Sequence, residues 1–378
     1  MIPRSVFTEE HDMFRDAVRK FMQREIQPHH EQWEKDGQIS REAWKKAGDA
    51  GILCTHLPEQ YGGSGVDFRY SAIAIEEQGY IFASGPGFSL HSDIVAPYIL
   101  HYGNEQQKQT WLPQMASGEV ISAIAMTEPG AGSDLAGVRT TAVVEGDHYV
   151  LNGSKTFITN GQLADLYIVV AKTDTSAGAK GVSLFLVEAD RAGFQKGQNL
   201  NKVGMKAQDT SELFFDNVRV PKDNLLGQEN KGFIYLMQEL PQERLSVALI
   251  AAASAQACFD ATVDYVKERK AFGKPVAALQ NTRFKLAEIQ TELQVTQTYV
   301  DRCLELHCQG KLSVEDAAAC KLWATEAQCR IIDECVQLHG GYGYMWEYPV
   351  ARAYADARVQ RIYAGTSEIM KEIISRTI

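Results

Sequence analysis

Glu239 and Glu243 stand four residues apart beside a long apolar run, a spacing that places both carboxylates on one face of an α-helix. The solvated face of an amphipathic helix is the ordinary explanation for such a pair. Pro241 between them argues against it, because a proline inside a helix costs on the order of 3 kcal/mol unless it occupies the first turn. We therefore expect a helix start or kink just before Glu243, where a side chain can enter a cleft.

The residues that follow Glu243 are too apolar for a solvated face, since they include Leu245, Val247, Ala248 and Ile250. Dry surroundings disfavour the charged form of a carboxylate and raise its pKa toward neutral pH. A carboxylate with such a pKa is suited to accept a proton as a general base. The sequence therefore predicts a buried base at Glu243.

Composition restricts the class of protein. The 378 residues, of which 45% are hydrophobic, can bury a large core in two or three domains. A net charge of -10 gives no electrostatic reason to expect nucleic acid or an anionic membrane as partner. The seven cysteines include no CxxC pair, which favours reduced thiols over a metal site. With no leader pattern and no apolar stretch of roughly 18 residues, we expect a cytoplasmic protein, or a mitochondrial matrix protein whose leader was removed.

The periodicity changes twice along the chain and predicts three domains: an all-α domain at 1–120, a β domain at 121–231 and a helical domain at 232–378. Asn152-Gly153 predicts a hairpin turn between two strands. A Rossmann domain is not expected, because no strand-GxGxxG-helix unit occurs. Helices are expected from Thr8, near 40–50, 69–82, 90–101 and 104–117, and again near 241–270, 278–310, 314–340 and 350–376; strands are expected near 120–126, 140–144, 167–171 and 182–187.

Three glycine-containing segments have residues suited to a cofactor. In 126–133 a proline and two glycines interrupt a strand pattern and leave backbone donors beside hydroxyls, although a tight surface turn is the simpler interpretation. In 269–273 a cation before Phe-Gly can bind a pyrophosphate or simply cap a helix. Gly340-Gly341 lets backbone amides face phosphate. His339 beside them lacks partners at ligand spacing, so we interpret it as structural and expect no metal.

Together with Tyr363-Ala364-Gly365-Thr366-Ser367-Glu368, these segments resemble the acyl-CoA dehydrogenase family over nearly the whole chain. The resemblance implies an α+β fold with an N-terminal helical domain, a middle β barrel and a C-terminal four-helix bundle. It also implies FAD-dependent conversion of acyl-CoA to trans-2-enoyl-CoA, with medium- to long-chain fatty acyl-CoA as substrate in β-oxidation.

The family carries its catalytic base either directly after Tyr363 or at the position of Glu243. The first position is Ala364 in this chain, so the sequence resembles the long-chain and isovaleryl subgroup, with Glu243 as base. By the same resemblance, the backbone N–H of Ala364 contacts the thioester carbonyl. The two positions then have separate tasks. Ala364 donates to the developing oxyanion, which needs preorganised donors, and Glu243 accepts the proton.

The resemblance further implies substrate contacts at Ser133, Ile234, Arg244 and Gly365. Ile234 stands where close relatives carry tyrosine, which leaves the chain length open. Electron-transfer flavoprotein is the implied electron acceptor, and a homo-oligomer, normally a tetramer, is implied because FAD is shared between subunits. The implied FAD contacts are Met126, Thr127, Gly132, Ser133, Phe157 (tryptophan in many relatives), Ile158, Thr159, Arg269, Phe272, Gln280, Gln337, Leu338, Gly340, Gly341, Thr366 and Glu368.

Three alternatives to a straight-chain dehydrogenase remain. A relative specialised for branched acyl-CoA, such as isovaleryl- or citronellyl-CoA, shares the same base position. A flavin monooxygenase on the same fold is disfavoured, because such enzymes generally lack a catalytic glutamate. A helical interaction scaffold, the non-enzyme alternative, would be colourless when purified.

Overall fold

The computed structural model describes residues 2–378 and confirms the helix, strand, helix order predicted from periodicity. In this part of the chain the helices are α1 (Glu9–Phe21), α2 (His30–Asp36), α3 (Arg41–Asp49), α4 (Phe68–Tyr80), α5 (Ala96–Tyr102), α6 (Glu105–Ala116), α7 (Gly232–Glu268), α8 (Gln280–Cys308), α9 (Val314–His339), α10 (Pro349–Ala357) and α11 (Ser367–Ser375). The strands are β1 (Ser122–Ala125), β2 (Thr141–Glu145), β3 (His148–Thr159), β4 (Leu166–Lys172), β5 (Val182–Glu188), β6 (Phe194–Asn199), β7 (Thr210–Pro221), β8 (Leu225–Leu226), β9 (Lys270–Ala271) and β10 (Lys274–Pro275).

The N-terminal helices begin where capping residues stand in the sequence. Thr8 is the N-cap of α1, whose first turn is acidic and whose last turn is basic, as the helix dipole favours. Asn104 caps α6, and its side chain accepts a hydrogen bond from the backbone N–H of Gln107. The helix expected near 90–101 is instead a π-helical turn, Leu90–Val95, that runs directly into α5. This turn and α5 pack against α7.

The middle of the chain forms one eight-stranded sheet in the order β6-β7-β3-β2-β4-β5-β8, with β1 paired to β4. Most neighbouring strands are antiparallel, but β4 is parallel to both β1 and β2. Nearly every side chain of β4 and β5 is buried, as expected of the strands at the centre of a domain. The loop that leaves β1 and the last residues of β3 are two of the segments predicted to contact FAD.

The hairpin predicted at Asn152-Gly153 is wrong, because β3 runs straight through both residues. Its pairing with β7 shifts register between Leu151 and Gly153, which is a β-bulge. A Cβ on Gly153 would lie 2.4 Å from the Thr140 hydroxyl oxygen, so this glycine serves close packing rather than a turn. The true hairpin lies just upstream, where Gly146 has a φ of 61° between β2 and β3.

The C-terminal helices α7, α8 and α9 pack on one another, and α7 also packs on α4. We expected a helix start or a kink just before Glu243. A start is wrong, because α7 begins at Gly232 and passes through Pro241. Proline removes one helix hydrogen bond, and burial of the α7 side chains offsets that loss. Glu243 therefore lies in the interior of a long helix.

Helix α7 is long and apolar enough to cross a membrane by length and composition alone, and within residues 2–378 no other helix is. The expectation that no segment reaches that length is therefore wrong. Of its most apolar 18-residue window, 61% is buried inside the protein. Core helices of water-soluble proteins share this pattern.

The last predicted helix, near 350–376, is interrupted. A short 3-10 turn, Arg358–Arg361, follows α10, and α11 begins only at Ser367, where the Thr366 side chain accepts a hydrogen bond from the backbone N–H of Ile369. The interruption places Ala364 and Gly365 in a loop rather than in a helix. This loop packs beside α9, because α11 and the 3-10 turn both contact that helix.

Candidate active site

Glu243 is a buried carboxylate, only 5% exposed, in the first half of α7. Its Oε1 accepts a hydrogen bond of 3.1 Å from the hydroxyl of Tyr98, a fully buried residue of α5. Burial raises the pKa of Glu243 to about 7; the Tyr98 hydrogen bond opposes that rise, and the charge of Glu239 adds to it. Glu243 is thus held in one place and titrates near neutral pH, as a general base requires.

The two glutamates do not form a solvated face, because Glu239 is also buried. Oε1 of Glu239 lies 2.8 Å from Nδ1 of His101, and this hydrogen bond raises the pKa of His101. Gln242 donates through Nε2 to the backbone carbonyl of Asp93 at 2.6 Å. We call these contacts, together with Tyr98–Glu243, the α5–α7 seam. Each carboxylate in the seam has its own partner.

Arg244 follows Glu243 and is also buried, with 4% of its surface exposed. Among residues 2–378, its Nε and Nη1 have no hydrogen-bond partner. Burial lowers the pKa of this guanidinium, while the neighbouring charge of Glu243 opposes the change. Buried N–H groups are nearly always bonded, so these two are positioned to receive an acceptor from a bound molecule.

The loop of Ala364 and Gly365 has a left-handed backbone, with φ of 51° and 94°. The carbonyl of Gly365 accepts a hydrogen bond of 2.5 Å from Nζ of Lys321, a buried residue of α9. Burial, and to a lesser extent the charge of Arg244, lowers the pKa of Lys321 to about 8. Lys321 is therefore bonded to the loop of Ala364 and lies within electrostatic range of the residue that follows Glu243.

Two of the segments predicted to contact FAD meet at the end of β3. The backbone N–H of Thr156 donates to the carbonyl of Thr127 at 2.9 Å, which joins the loop after β1 to β3. The ring of Phe157 is 66% exposed and its backbone has a φ of 59°, whereas Ile158 is buried. A Cβ on Gly132 would meet no atom within 4 Å, so the loop is open on that side. Met126, Ser133 and Thr159 lie beside these residues, at least partly exposed.

A buried ion pair stabilises the loop after β1. Nζ of Lys155 lies 2.8 Å from Oε1 of Glu128 and also donates to the carbonyl of Met126 at 3.0 Å. Glu128 accepts from the backbone N–H groups of Arg139 and Thr140. Burial would raise the pKa of Glu128, but the Lys155 charge and these hydrogen bonds bring it below its usual value. The loop conformation is thus set by the protein itself.

The remaining predicted FAD segments lie at the far end of α7 and α9. Phe272, in the turn between β9 and β10, is 92% exposed with a φ of 51°. The Arg269 guanidinium lies 5.6 Å from the ring centroid of Tyr342, which follows the Gly340-Gly341 turn. His339 is buried and stacks on Tyr265, consistent with a structural role. The other predicted residues of this end, Gln280, Gln337, Leu338, Gly340 and Gly341, lie exposed or partly buried at its surface.

Three other predicted residues lie elsewhere. Ile234, in the first turn of α7, is 48% exposed. Thr366 caps α11, and Glu368 is exposed in the first turn of that helix. Sequence reasoning missed Tyr98 and Lys321. For Lys321 a signal existed, because Ala317, Ala318, Cys320 and Ala324 surround it at helical spacing; for Tyr98, inside an apolar helix, none did.

Comparison with known proteins identifies the family. The N-terminal, middle and C-terminal domain models of acyl-CoA dehydrogenases match residues 8–119, 123–218 and 230–378. The mitochondrial long-chain specific acyl-CoA dehydrogenase of Sus scrofa is 58% identical over 377 residues, covering 99% of this chain and 88% of that protein. An acyl-CoA dehydrogenase of Bacillus subtilis is 42% identical over 370 residues, covering 98% of each chain.

Solved structures give the same result. The acyl-CoA dehydrogenase of Geobacillus kaustophilus superimposes with a TM-score of 0.97 at 52% identity, covering 99% of each chain. The chain therefore belongs to the acyl-CoA dehydrogenase family, whose members are FAD-dependent oxidoreductases.

Proposed function

We propose that this protein converts medium- to long-chain acyl-CoA thioesters to trans-2-enoyl-CoA, with Glu243 as the base. The observation that carries the proposal is a buried carboxylate with a pKa of about 7, in a chain whose Ala364-Gly365 loop is held by the buried Lys321. The 58% identity to a long-chain specific enzyme supports the substrate class. Ala364 supports the choice of base, because the loop itself has no carboxylate at that position.

The chain's own part in the reaction begins with proton removal. The ionised form of Glu243 accepts the proton from the carbon α to the thioester, and Tyr98 keeps Oε1 in place while it does so. The α carbon becomes acidic only if the carbonyl oxygen is stabilised as it gains negative charge. We assign that stabilisation to the backbone N–H of Ala364, whose left-handed conformation is fixed by the surrounding loop.

The loop after β1 and the last residues of β3 fit a flat cofactor. The exposed Phe157 ring, the open side of Gly132 and the joined backbones of Thr127 and Thr156 form a shallow surface that a planar ring can cover. When bound, FAD supplies the acceptor for the β hydrogen, which leaves as hydride. Thr366 and Glu368 complete the proposed contacts beside the loop of Ala364.

The second proposed FAD segment explains why a single chain is insufficient. Phe272 is a large apolar side chain left almost fully exposed, and Arg269 beside it is an exposed cation. Such a pair fits the diphosphate and adenosine of FAD bound to a neighbouring subunit. We therefore propose a homotetramer with electron-transfer flavoprotein as acceptor, located in the cytoplasm or, in an organelle, the mitochondrial matrix.

The substrate contacts remain proposals at four positions. Arg244 has unbonded N–H groups for the thioester end of the substrate, and Gly365 lies beside the Ala364 donor. Ser133, exposed in the loop after β1, is placed for the CoA side. Ile234 is half-exposed at the start of α7, where a smaller apolar residue in place of tyrosine leaves room for either a longer or a branched chain.

Replacing Glu243 by Gln tests the assignment of the base. We expect yellow, FAD-loaded protein that binds acyl-CoA but reduces its flavin about 10² to 10⁴ times more slowly, the range that general base catalysis contributes. Stopped-flow bleaching under anaerobic conditions measures the rate. Glu239→Gln, one helical turn away and equally buried, is the matched control and should keep turnover. Near-normal reduction by Glu243→Gln would falsify the assignment.

Replacing Tyr98 by Phe tests how the base is tuned. The hydrogen bond from Tyr98 lowers the pKa of Glu243, so its loss should move the acid limb of the kcat/KM profile upward by about one pH unit. Activity should approach the wild-type value above that limb, where Glu243 is ionised in both proteins. Tyr102→Phe, whose hydroxyl contacts Gln238 instead, should leave the limb in place. An unshifted Tyr98→Phe profile would contradict the role of this hydrogen bond.

A panel of acyl-CoA substrates separates the straight-chain function from the branched-chain alternative. We expect anaerobic bleaching, and turnover with electron-transfer flavoprotein as acceptor, to be fastest with straight chains of medium to long length. Ile234 at the start of α7 is compatible with either substrate class, so the relative rates of straight and branched substrates decide between them. No response to straight chains longer than eight carbons, with rapid reduction by isovaleryl- or citronellyl-CoA, would replace the proposal by its alternative.

Light scattering tests the oligomer. We expect a mass of four times the 42.0 kDa chain. Phe272→Asp should release FAD during gel filtration, because the charged side chain would replace an apolar contact across the subunit boundary. A monomeric wild-type protein that retains FAD would exclude the shared site.

A further inference from the structure

A lysine lies buried behind the loop of Ala364. Lys321 on α9 is 1% exposed, and among residues 2–378 no carboxylate forms an ion pair with it. Its Nζ donates to the carbonyl of Gly365, the residue directly after Ala364, at 2.5 Å. Burying an ammonium group without a counter-charge is costly. We therefore look for a role of Lys321 other than stabilising the folded protein.

The loop that Lys321 contacts is conformationally demanding. Ala364 and Gly365 are both left-handed, and such a backbone costs on the order of 1–3 kcal/mol at a residue with a side chain. Helix α9 also holds both flanks of the loop, since Oε1 of Glu326 accepts from Nε of Arg361 and from the hydroxyl of Ser367, each at 2.8 Å. Lys321 donates the side-chain hydrogen bond that reaches Gly365, the residue directly after the proposed donor.

Charge gives Lys321 a second effect. It lies close enough to Arg244 for the guanidinium to lower the pKa of its amine, and Arg244 follows Glu243 directly in α7. One buried cation thus lies next to the proposed base in sequence, and the other is bonded to the residue after the proposed oxyanion contact. Positive charge fixed in a dry site stabilises a negative oxygen more strongly than in water.

We propose that Lys321 is a positioning residue for the reaction: it fixes the Ala364-Gly365 backbone so that the Ala364 N–H points at the thioester carbonyl. Its ammonium group also adds positive potential where that oxygen becomes negative. This inference rests on the proposed function. It concerns a residue that need not touch the substrate, because it acts through the carbonyl of Gly365.

Replacing Lys321 by Met removes the donor and the charge and leaves an unbranched apolar side chain that is one heavy atom shorter. We expect kcat to fall about 10- to 100-fold, less than the 10² to 10³ measured for deleting an oxyanion donor outright. The KM should change less than threefold, since the binding contacts to CoA remain. Lys311→Met, the same change at an exposed position just before α9, should leave both constants at the wild-type values.

Vibrational difference spectroscopy supplies the readout that a purely structural role would not change. The thioester C=O stretch of bound enoyl-CoA should lie at lower frequency than in solution, because the N–H of Ala364 polarises the carbonyl. In FAD-loaded Lys321→Met this shift should shrink toward the solution value. Wild-type kcat and an unchanged C=O frequency in the variant would overturn the inference.

A second variant covers the case in which Lys321→Met does not load FAD. Lys321→Gln is polar but one atom shorter, so its amide cannot reach the Gly365 carbonyl at hydrogen-bond distance, and it should show the same loss of kcat and of C=O shift. Wild-type behaviour of Lys321→Gln likewise overturns the inference. Failure of wild-type protein to oxidise any acyl-CoA is a separate result, which overturns the proposed function.

Discussion

The burial of the Glu243 carboxylate inside α7 is the constraint on which the rest of the site depends. A dry helical core disfavours a charged carboxylate, and the pKa of about 7 is the result of that burial after Tyr98 and Arg244 have opposed it. Because the pKa in the folded state is above the ordinary 4.5, the stabilising contribution of this group is present below pH 4.5 and is lost as pH rises through 7. The base therefore works against the stability of the fold that holds it.

The α5–α7 seam makes this burial tolerable. Its acceptors and donors on α7 fall at 239, 242 and 243, which is one face of a helix, and each has a partner on α5 or the π-helical turn before it. Buried polar groups with partners cost far less than orphaned ones. The seam runs from the half-exposed His101 to the fully buried Tyr98, so the Glu243 carboxylate lies at its drier end.

Sequence periodicity was sufficient to predict the helix, strand, helix order, because period and composition are local properties. It failed where a residue type serves tertiary packing: Gly153 permits close approach of Thr140 instead of a turn, and Pro241 lies inside a helix that packing holds together. The burial of Glu243 was predictable from its apolar neighbours, and its role as base stays a prediction. Its partners were harder to predict, since Tyr98 lies 145 residues from Glu243 and Lys321 lies 44 residues from Gly365.

The choice of alanine at 364 follows from what each half of the chemistry needs. A backbone donor requires only a fixed peptide, which a strained loop can provide when neighbouring helices hold it. A carboxylate base needs a side chain held to within fractions of an ångström, and a helix gives that precision better than a loop. Placing Glu243 on α7 and anchoring the loop through Lys321 on α9 makes the geometry depend on how those two helices pack. Their contact is extensive, so the packing of these two helices fixes where the proposed base and the proposed oxyanion donor lie.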